Sequence, residues 1–302
     1  MLEQLSASEL QLVSNLQSNR NLHFRLAACD FSMPEIDSRF KTEREEYSLI
    51  PGLMDLLQLN RRVDELRQLH AQDPRRPAFF VPVSNALGKV GKEDRDEDSE
   101  LRIYQMFCGC RQRCDLKCLN REMKQECHAG ICQLGPDCGN RSISRGKQAV
   151  CVVRYAGSKG WGLFASEGLK NGDLVGEYVG EVVDARICHH RFAYNYENDR
   201  HFYMLGISDN EIVDATRFGG LCRFVNHSCN PNCAIQKWSV KGRPLVAFFA
   251  IKDIRAGEEI TADYNCQRFG TKAQTCDCGQ PNCRGTIGLR PALHKKKPAS
   301  WS

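Results

Sequence analysis

The stretch "RFVNHSCNPNC", residues 223–233, places one arginine, one histidine, three asparagines and two cysteines within eleven positions. Polar groups at this density are costly to bury unless each of them finds a hydrogen-bond partner or a ligand. We therefore take residues 223–233, called the opening stretch below, as the first candidate for a binding site.

The length and the hydropathy of the chain limit the class of protein. The 302 residues are enough for one large domain or two smaller ones. No apolar run approaches the roughly 20 residues that a membrane-spanning helix needs, and the first thirty residues lack the pattern of a secretion signal. We expect a soluble, unsecreted protein that has no membrane contact.

Seventeen cysteines need an explanation in such a chain. Disulfides are disfavoured because no secretion signal is evident and the total is odd. Seven cysteines follow the spacing CxCx3Cx3Cx8Cx4Cx5C and three follow CxCx4C, which is typical of thiolate-bound zinc. The seven are Cys108, Cys110, Cys114, Cys118, Cys127, Cys132 and Cys138, and the three are Cys276, Cys278 and Cys283.

The number of ligands predicts how the metal is shared. Two separate tetrahedral zinc ions need eight ligands, so seven thiolates hold two ions only if one sulfur bridges them. The three later cysteines lack a fourth ligand, for which the cysteine-bearing opening stretch is the natural donor. The sequence therefore predicts three structural zinc ions.

Charge is distributed unevenly along the chain. Residues 1–100 carry a net charge of −5 and residues 101–302 carry +10. Three zinc ions on eleven thiolates would reduce the second value to about +5. This balance is a modest indication of a polyanionic partner.

Region 1–92 has helical character. Leu56, Leu59, Val63 and Leu66 recur at spacings of three and four, which predicts one amphipathic helix. Packing against the rest of the chain is the expected role of its apolar face, and a coiled-coil protein partner is the alternative. The acidic run "EDRDEDSE" then marks residues 93–102 as a solvated linker.

After the cysteine cluster, short β-type runs alternate with Gly, Asn and Asp, and "DARICHHRFAYNYEN" is the good helical candidate. We therefore predict a mostly β domain, of the β-rich α+β class.

From Ile103 to Arg290 the chain resembles the SET-domain protein lysine methyltransferases. The motifs that carry the resemblance, in order, are "CLNREMKQEC", "KGWGLFA", "GEYVGEVVD", "HFYML", "RFVNHSCNPNC", "ITADY" and "CDCGQPNCRG".

The resemblance implies a division of the chain into modules. An AWS two-zinc cysteine cluster is expected at 103–145, a SET domain of short strands with a pseudoknot at 146–269, a post-SET zinc motif at 270–290 and a basic tail at 291–302. The seven-cysteine AWS form is similar to the branch that acts on the lysine at position 36 of histone H3.

The same resemblance implies a function. It indicates an S-adenosylmethionine-dependent histone lysine methyltransferase, located in the nucleus on chromatin, that binds the histone H3 tail in nucleosomes and contacts nucleosomal DNA. The alternative is a catalytically weak or silent SET-fold chromatin-binding module. A zinc-cluster DNA-binding factor is disfavoured because no basic recognition helix adjoins the cysteines.

Residue roles follow from the resemblance as well. It implies Tyr264 as the catalytic tyrosine, Tyr178 and Tyr203 as walls of a lysine channel, and Cys229 as the fourth ligand of the last zinc. In the "KGWG" loop, glycines let the backbone approach a ligand. The expected cofactor contacts are Lys159, Gly160, Trp161, Gly162, Phe202, Tyr203, Arg223, Phe224, Asn226, His227 and Gln274.

Two features bear on how the channel works. The family usually has Phe or Tyr two positions before the catalytic tyrosine, where this chain has Ala262, so the number of methyl groups transferred stays open. The segment "NCQRFGTKAQT", between Tyr264 and Cys276, is expected to act as a lid that places Arg268 in the channel as a mimic of the substrate lysine.

Overall fold

The computed structural model of the protein describes residues 4–18, 53–71, 80–83, 108–128, 130, 132–191, 203–208, 210–264 and 274–288. Strands dominate these residues, and the α-helices among them are few, as the predicted mostly β class requires. Of the helices in these ranges, none is long and apolar enough to span a membrane. The acidic linker, the basic tail, Phe202 and Arg268 lie outside the described residues.

The elements are numbered here in chain order. The α-helices are α1 (Ala7–Ser18), α2 (Leu53–Ala71), α3 (Leu119–Glu122) and α4 (Ala185–His190). The strands are β1 (Val81–Pro82), β2 (Cys151–Tyr155), β3 (Trp161–Ala165), β4 (Leu174–Glu177), β5 (Gly180–Asp184), β6 (Met204–Gly206), β7 (Glu211–Gly219), β8 (Asn226–His227), β9 (Cys233–Val240), β10 (Arg243–Ala250), β11 (Glu259–Ala262), β12 (Gln274–Thr275) and β13 (Thr286–Ile287).

Two larger sheets and one small sheet organise the strands. The seven-stranded sheet has the strand order β2-β3-β11-β9-β10-β4, with β8 also paired to β11. The second runs β1-β7-β5, with β6 also paired to β7, and β12 pairs with β13. Because β8 lies parallel to β11, the opening stretch comes directly beside the end of "ITADY".

A shared apolar core joins the two larger sheets. Each strand alternates its side chains between two faces, so the inward residues of neighbouring strands collect into one layer. Leu163 of β3, Val182 of β5, Val213 of β7 and Phe248 of β10 are all buried members of this layer. The residues that carry the expected chemistry lie along its margin.

The prediction of a single N-terminal helix is incomplete, because α1 precedes the predicted α2. A capping box starts α1: the Glu9 amide donates to Ser6 Oγ at 3.3 Å, and the Ser6 amide donates to Glu9 Oε2 at 2.7 Å. The sequence "SASE" carries this signal. The His70 ring of α2 lies 2.9 Å from Gln4 Oε1, next to α1.

The apolar stripe of α2 is buried, as predicted. Leu59, Val63 and Leu66 have almost no exposed surface, and α2 contacts both α1 and β7. A bidentate ion pair adds to this docking, since Arg217 of β7 donates from Nε and Nη2 to Asp64 at 2.9 and 2.7 Å. The described part of the stripe is therefore packed within the chain.

We expect Asp64→Asn to lower the free energy of unfolding by about 3 kcal/mol, because it leaves the buried Arg217 without its carboxylate. Urea denaturation at pH 7 measures the change. Glu65→Gln is the matched control, since Glu65 pairs with Arg62 on the exposed face and such pairs contribute about 0–1 kcal/mol. Equal losses in the two variants would contradict the expectation.

A buried ion network fixes the end of α4. Arg191 donates to both oxygens of Glu181 at 3.0 Å and to Asp214 Oδ2 at 2.8 Å, and all three side chains are almost fully buried. The amide of Thr216 donates to the other Asp214 oxygen at 2.9 Å. The network joins α4 to β5 and β7 next to the aromatic site described below.

Candidate active site and zinc-binding groups

The clustered cysteines form three groups of four thiols whose sulfur atoms lie within 4.8 Å of one another. The sequence predicts this clustering, including the recruitment of Cys229 from the opening stretch. The groups are Cys108, Cys114, Cys118 and Cys127; Cys114, Cys127, Cys132 and Cys138; and Cys229, Cys276, Cys278 and Cys283.

The sulfur separations fit zinc and do not fit disulfides. Neighbouring sulfurs lie 3.6 Å apart for Cys108 and Cys114, 3.8 Å for Cys118 and Cys127, and 3.9 Å for Cys229 and Cys276. A Zn–S bond of about 2.3 Å in tetrahedral geometry gives S···S separations of about 3.8 Å, whereas a disulfide needs about 2.05 Å. The donor set and its spacing therefore suit tetrahedral zinc.

Electrostatics lead to the same conclusion. Burial raises the pKa of the Cys127 thiol to about 12, and burial likewise raises the pKa of the Cys276 thiol to about 12. Buried thiols at such close range cannot all ionise near neutral pH unless a cation balances their charge. A thiolate-binding metal supplies that charge.

Two of the thiols have a special position in the first two groups. Cys114 and Cys127 are shared, and the Cys114 sulfur also contacts one unshared member on each side, Cys108 at 3.6 Å and Cys132 at 3.7 Å. Cys110 belongs to neither group, but its thiol contacts the Cys108, Cys114 and Cys118 thiols and donates to the Cys108 carbonyl at 3.7 Å, so its role as a ligand stays a prediction. The contacts make Cys114 the best candidate for the bridging sulfur.

The glycine loop lies against β8 and β11. Asn226 of β8 donates from its side-chain amide to the Trp161 carbonyl at 3.2 Å and to Glu259 Oε1 at 2.9 Å. Lys159 forms an ion pair with the same Glu259 carboxylate. The sequence interpretation missed Glu259, which holds the loop and the opening stretch together.

Two glycines of this loop are required by its geometry. Gly160 has a φ of 78°, a left-handed conformation that side-chain-bearing residues rarely adopt. A Cβ on Gly162 would lie 2.7 Å from Glu259 Oε1 and 3.0 Å from Asn226 Nδ2. The loop backbone therefore comes close to the polar groups of β8 and β11, as a ligand-binding loop requires.

His227 connects the candidate catalytic tyrosine to the last cysteine group. Its Nδ1 accepts from the Tyr264 amide at 3.2 Å, and its Nε2 lies 3.5 Å from Cys229 Sγ. Burial lowers the pKa of this imidazole, Asp263 raises it and Arg284 lowers it, with a net decrease. Arg284, which follows the last cysteine, completes the connection by donating to Asp263 at 2.7 Å.

The hydroxyl of Tyr264 is oriented by the opening stretch. It donates to the Val225 carbonyl at 2.9 Å, and the Tyr264 and His227 ring centroids lie 5.3 Å apart. Because its hydrogen is directed to Val225, this hydroxyl can act towards an amine only as a hydrogen-bond acceptor. This is the arrangement expected of a residue that orients an amine.

The other predicted aromatic residues lie nearby. Tyr178 is buried, and burial raises the pKa of its hydroxyl well above the usual value; the Arg223 cation opposes this shift, while Tyr264 and Tyr203 add to it. Tyr203 lies with its ring centroid 3.7 Å from the Arg223 guanidinium carbon. The structure thus gathers the three tyrosines and Arg223 into one neighbourhood.

The remaining predicted cofactor contacts differ in exposure. Phe224 and Arg223 are buried in the 3₁₀ helix Leu221–Phe224, where Arg223 Nε donates to the Ala215 carbonyl at 2.9 Å. Gln274 is exposed on β12 and pairs with Ile287 of β13. Arg223 therefore supports the site from within the core, while Gln274 lies in the small sheet of β12 and β13.

Comparison with known proteins identifies one domain of the chain. Residues 160–265 match the family model described as "SET domain". The chain contains a SET domain. This match covers the glycine loop, the opening stretch and Tyr264, so the predicted resemblance is confirmed.

The SET-domain region is similar to curated relatives of one class. A human protein named "Histone-lysine N-methyltransferase, H3 lysine-36 specific" is 33% identical over 264 residues, 85% of this chain and 10% of that protein. A protein of the same name from Emericella nidulans is 45% identical over 213 residues, which cover 70% of this chain and 20% of that protein. The chain spans only about a tenth to a fifth of the length of these relatives.

A solved structure is similar as well. The crystal structure of the Chaetomium thermophilum polycomb repressive complex 2 matches with a TM-score of 0.49 and 26% sequence identity. The match covers 52% of this chain and 24% of that chain.

Proposed function

We propose that this SET-domain chain is an S-adenosylmethionine-dependent protein lysine methyltransferase whose substrate is the lysine at position 36 of histone H3 in nucleosomes. The observation that carries the proposal is the oriented Tyr264 hydroxyl, which donates to the Val225 carbonyl near the buried Tyr178. The names of the relatives support the choice of substrate.

The residues present fit the cofactor. S-adenosylmethionine supplies an activated methyl group on a sulfonium when it is bound. The Lys159–Gly162 loop, Asn226 and His227 would hold it, since glycine backbone and polar groups converge there and Gly162 leaves no room for a side chain. The proposed contacts of Phe202 and Gln274 stay predictions.

The chain's own groups account for the remaining requirements of the reaction. A lysine has an ordinary pKa of about 10.4, and a buried channel beside the Arg223 cation lowers it because burial and a nearby positive charge both disfavour the ammonium form. Tyr178 and Tyr203 offer aromatic faces to the lysine stem and to a methylated ammonium. The lone pairs of the Tyr264 oxygen then orient the neutral amine, so that alignment supplies most of the rate enhancement.

The partners and the location of the chain form part of the same proposal. Residues 101–302 keep a net charge of about +5 once three zinc ions and eleven thiolates are counted, which supports contact with nucleosomal DNA, a polyanion. Nuclear, chromatin-bound localisation follows from the proposed substrate. Three structural zinc ions, two on the seven-cysteine cluster and one on the Cys229 group, complete the proposal.

The proposal is tested by incubating the full chain with labelled S-adenosylmethionine and recombinant nucleosomes. Transfer should occur on unmodified nucleosomes and should be lost when arginine replaces the histone lysine at position 36. Transfer to both substrates would refute the target lysine. No transfer to either, with cofactor binding retained, would favour the silent chromatin-binding module.

The small residue before the catalytic tyrosine gives a separate prediction. Ala262 is fully buried in the core and pairs with His227 of β8 and Cys233 of β9. We expect Ala262→Phe to narrow the channel and shift the product towards fewer methyl groups, at a stability cost of about 1–3 kcal/mol from overpacking. Mass spectrometry of the methylated histone measures the product distribution.

The control for that change is Ala247→Phe, which overpacks an equally buried alanine in a different cluster, on β10. It should lower stability and leave the product distribution unchanged. An unaltered distribution in Ala262→Phe at equal turnover would show that another residue limits the channel.

A further inference from the structure

A short N-terminal strand adds an aromatic residue to the SET-domain core. β1 lies parallel to the end of β7, with Val81 opposite Phe218 and Pro82 opposite Gly219, and the Val83 amide donates to the Gly219 carbonyl at 2.8 Å. This pairing buries the preceding residue, Phe80, to 1% exposure. Phe80 lies outside the region that matches the SET-domain family.

Phe80 packs directly on the aromatic site. The Arg223 guanidinium carbon lies 4.5 Å from the Phe80 ring centroid and 3.7 Å from that of Tyr203. Phe80 also meets Phe224 edge to face, with 5.6 Å between centroids and an interplanar angle of 66°. The guanidinium thus bridges an N-terminal ring and a ring of the proposed lysine channel.

The guanidinium depends on these neighbours for its orientation. Burial lowers the pKa of Arg223, while Tyr203 and Tyr178 raise it, so the cation is held in a site that disfavours charge. Its Nε donates to the Ala215 carbonyl and its Nη2 donates to the Thr216 carbonyl, at 2.9 and 3.4 Å. The rings of Phe80, Tyr203 and Phe224 also contact the guanidinium by cation–π interaction.

We propose that Phe80 is a positioning residue for methyl transfer, which fixes the Arg223 guanidinium and, through it, the Tyr203 ring. This inference rests on the proposed function. The N-terminal region is attached to β7 twice, by the Asp64–Arg217 ion pair and by the β1 pairing. The chain leads from this part of β7 into the 3₁₀ helix that carries Arg223.

The test compares the full-length chain with Phe80→Leu, which keeps apolar volume and removes the ring face. We expect kcat/KM for a histone H3 peptide to fall by about five- to thirtyfold, the range that corresponds to about 1–2 kcal/mol of cation–π contact. Leu59→Ala is the matched control, because Leu59 is equally buried in the N-terminal region. It should lower the melting temperature and leave kcat/KM unchanged in the folded protein.

A double-mutant cycle with Arg223→Lys separates positioning from general packing. If Phe80 acts through the planar guanidinium, Phe80→Leu should have little further effect on kcat/KM in the Arg223→Lys background. Full additivity, or a Phe80→Leu phenotype equal to that of Leu59→Ala, would overturn the inference and leave the methyltransferase proposal intact. If the unchanged chain transfers no methyl group to peptide or nucleosome, both fall together.

Discussion

Tyr264→Phe should reduce methyl transfer by at least about a hundredfold while the affinity for S-adenosylmethionine stays nearly unchanged, since one positioned hydrogen-bonding group contributes about 10²–10³ to a rate. The substitution removes the hydroxyl that the Val225 carbonyl orients and keeps the ring beside His227. Single-turnover kinetics measure transfer, and isothermal titration calorimetry measures cofactor affinity.

Two variants serve as comparisons for that result. Tyr155→Phe removes the hydroxyl of an exposed tyrosine on β2 and should leave both quantities unchanged. Asn226→Ala should instead weaken cofactor binding, because it releases the glycine loop from β8 and Glu259. If Tyr264→Phe weakened cofactor binding and Asn226→Ala did not, the two roles would have to be exchanged.

Cys114→Ser should remove two zinc ions per chain and unfold the seven-cysteine cluster, because its sulfur contacts an unshared member of each group. Structural zinc contributes about 10–16 kcal/mol of apparent binding free energy in small zinc domains, so the loss should exceed that of any core substitution. Metal analysis of the purified protein should give three zinc ions for the unchanged chain and one for the variant.

The neighbouring cysteines provide the controls. Cys118 and Cys132 each belong to one group only, so serine at either position should remove fewer zinc ions than at Cys114. Cys188→Ser should retain all three, since this buried thiol donates to Met204 Sδ at 3.2 Å and belongs to none of the three groups. Equal zinc loss from Cys114→Ser and Cys132→Ser would show that Cys114 does not bridge.

The sequence predicted most of the local chemistry of the site. Cysteine spacing indicated zinc because thiolate ligands come in closely spaced pairs, and ligand counting required a shared sulfur and a donor from the opening stretch. The motif order led to Tyr264, Tyr178 and the glycine loop, which the structure brings into the same region. These features are readable because each is encoded within a few consecutive residues.

The missed features have a common physical cause. Glu259, which holds Lys159 and Asn226, follows another acid in "EEITADY", and the alternation of a strand does not show which carboxylate faces the loop. Ligand spacing likewise did not show which of the clustered cysteines contacts an unshared member of each group, as Cys114 does. Spacing limits which atoms can meet, whereas the path of the chain decides which of them do.

By itself, the sequence determined the mostly β class, the metal chemistry and the candidate catalytic tyrosine, because ligand type, strand periodicity and compact motifs are local properties. Only the tertiary structure decided that Asp64 pairs with Arg217 and that Phe80 packs on Arg223, more than a hundred residues away. A buried arginine needs a carboxylate or an aromatic ring beside it, because burial removes the water that would otherwise stabilise its charge. Which carboxylate or ring lies there depends on the path of the folded chain.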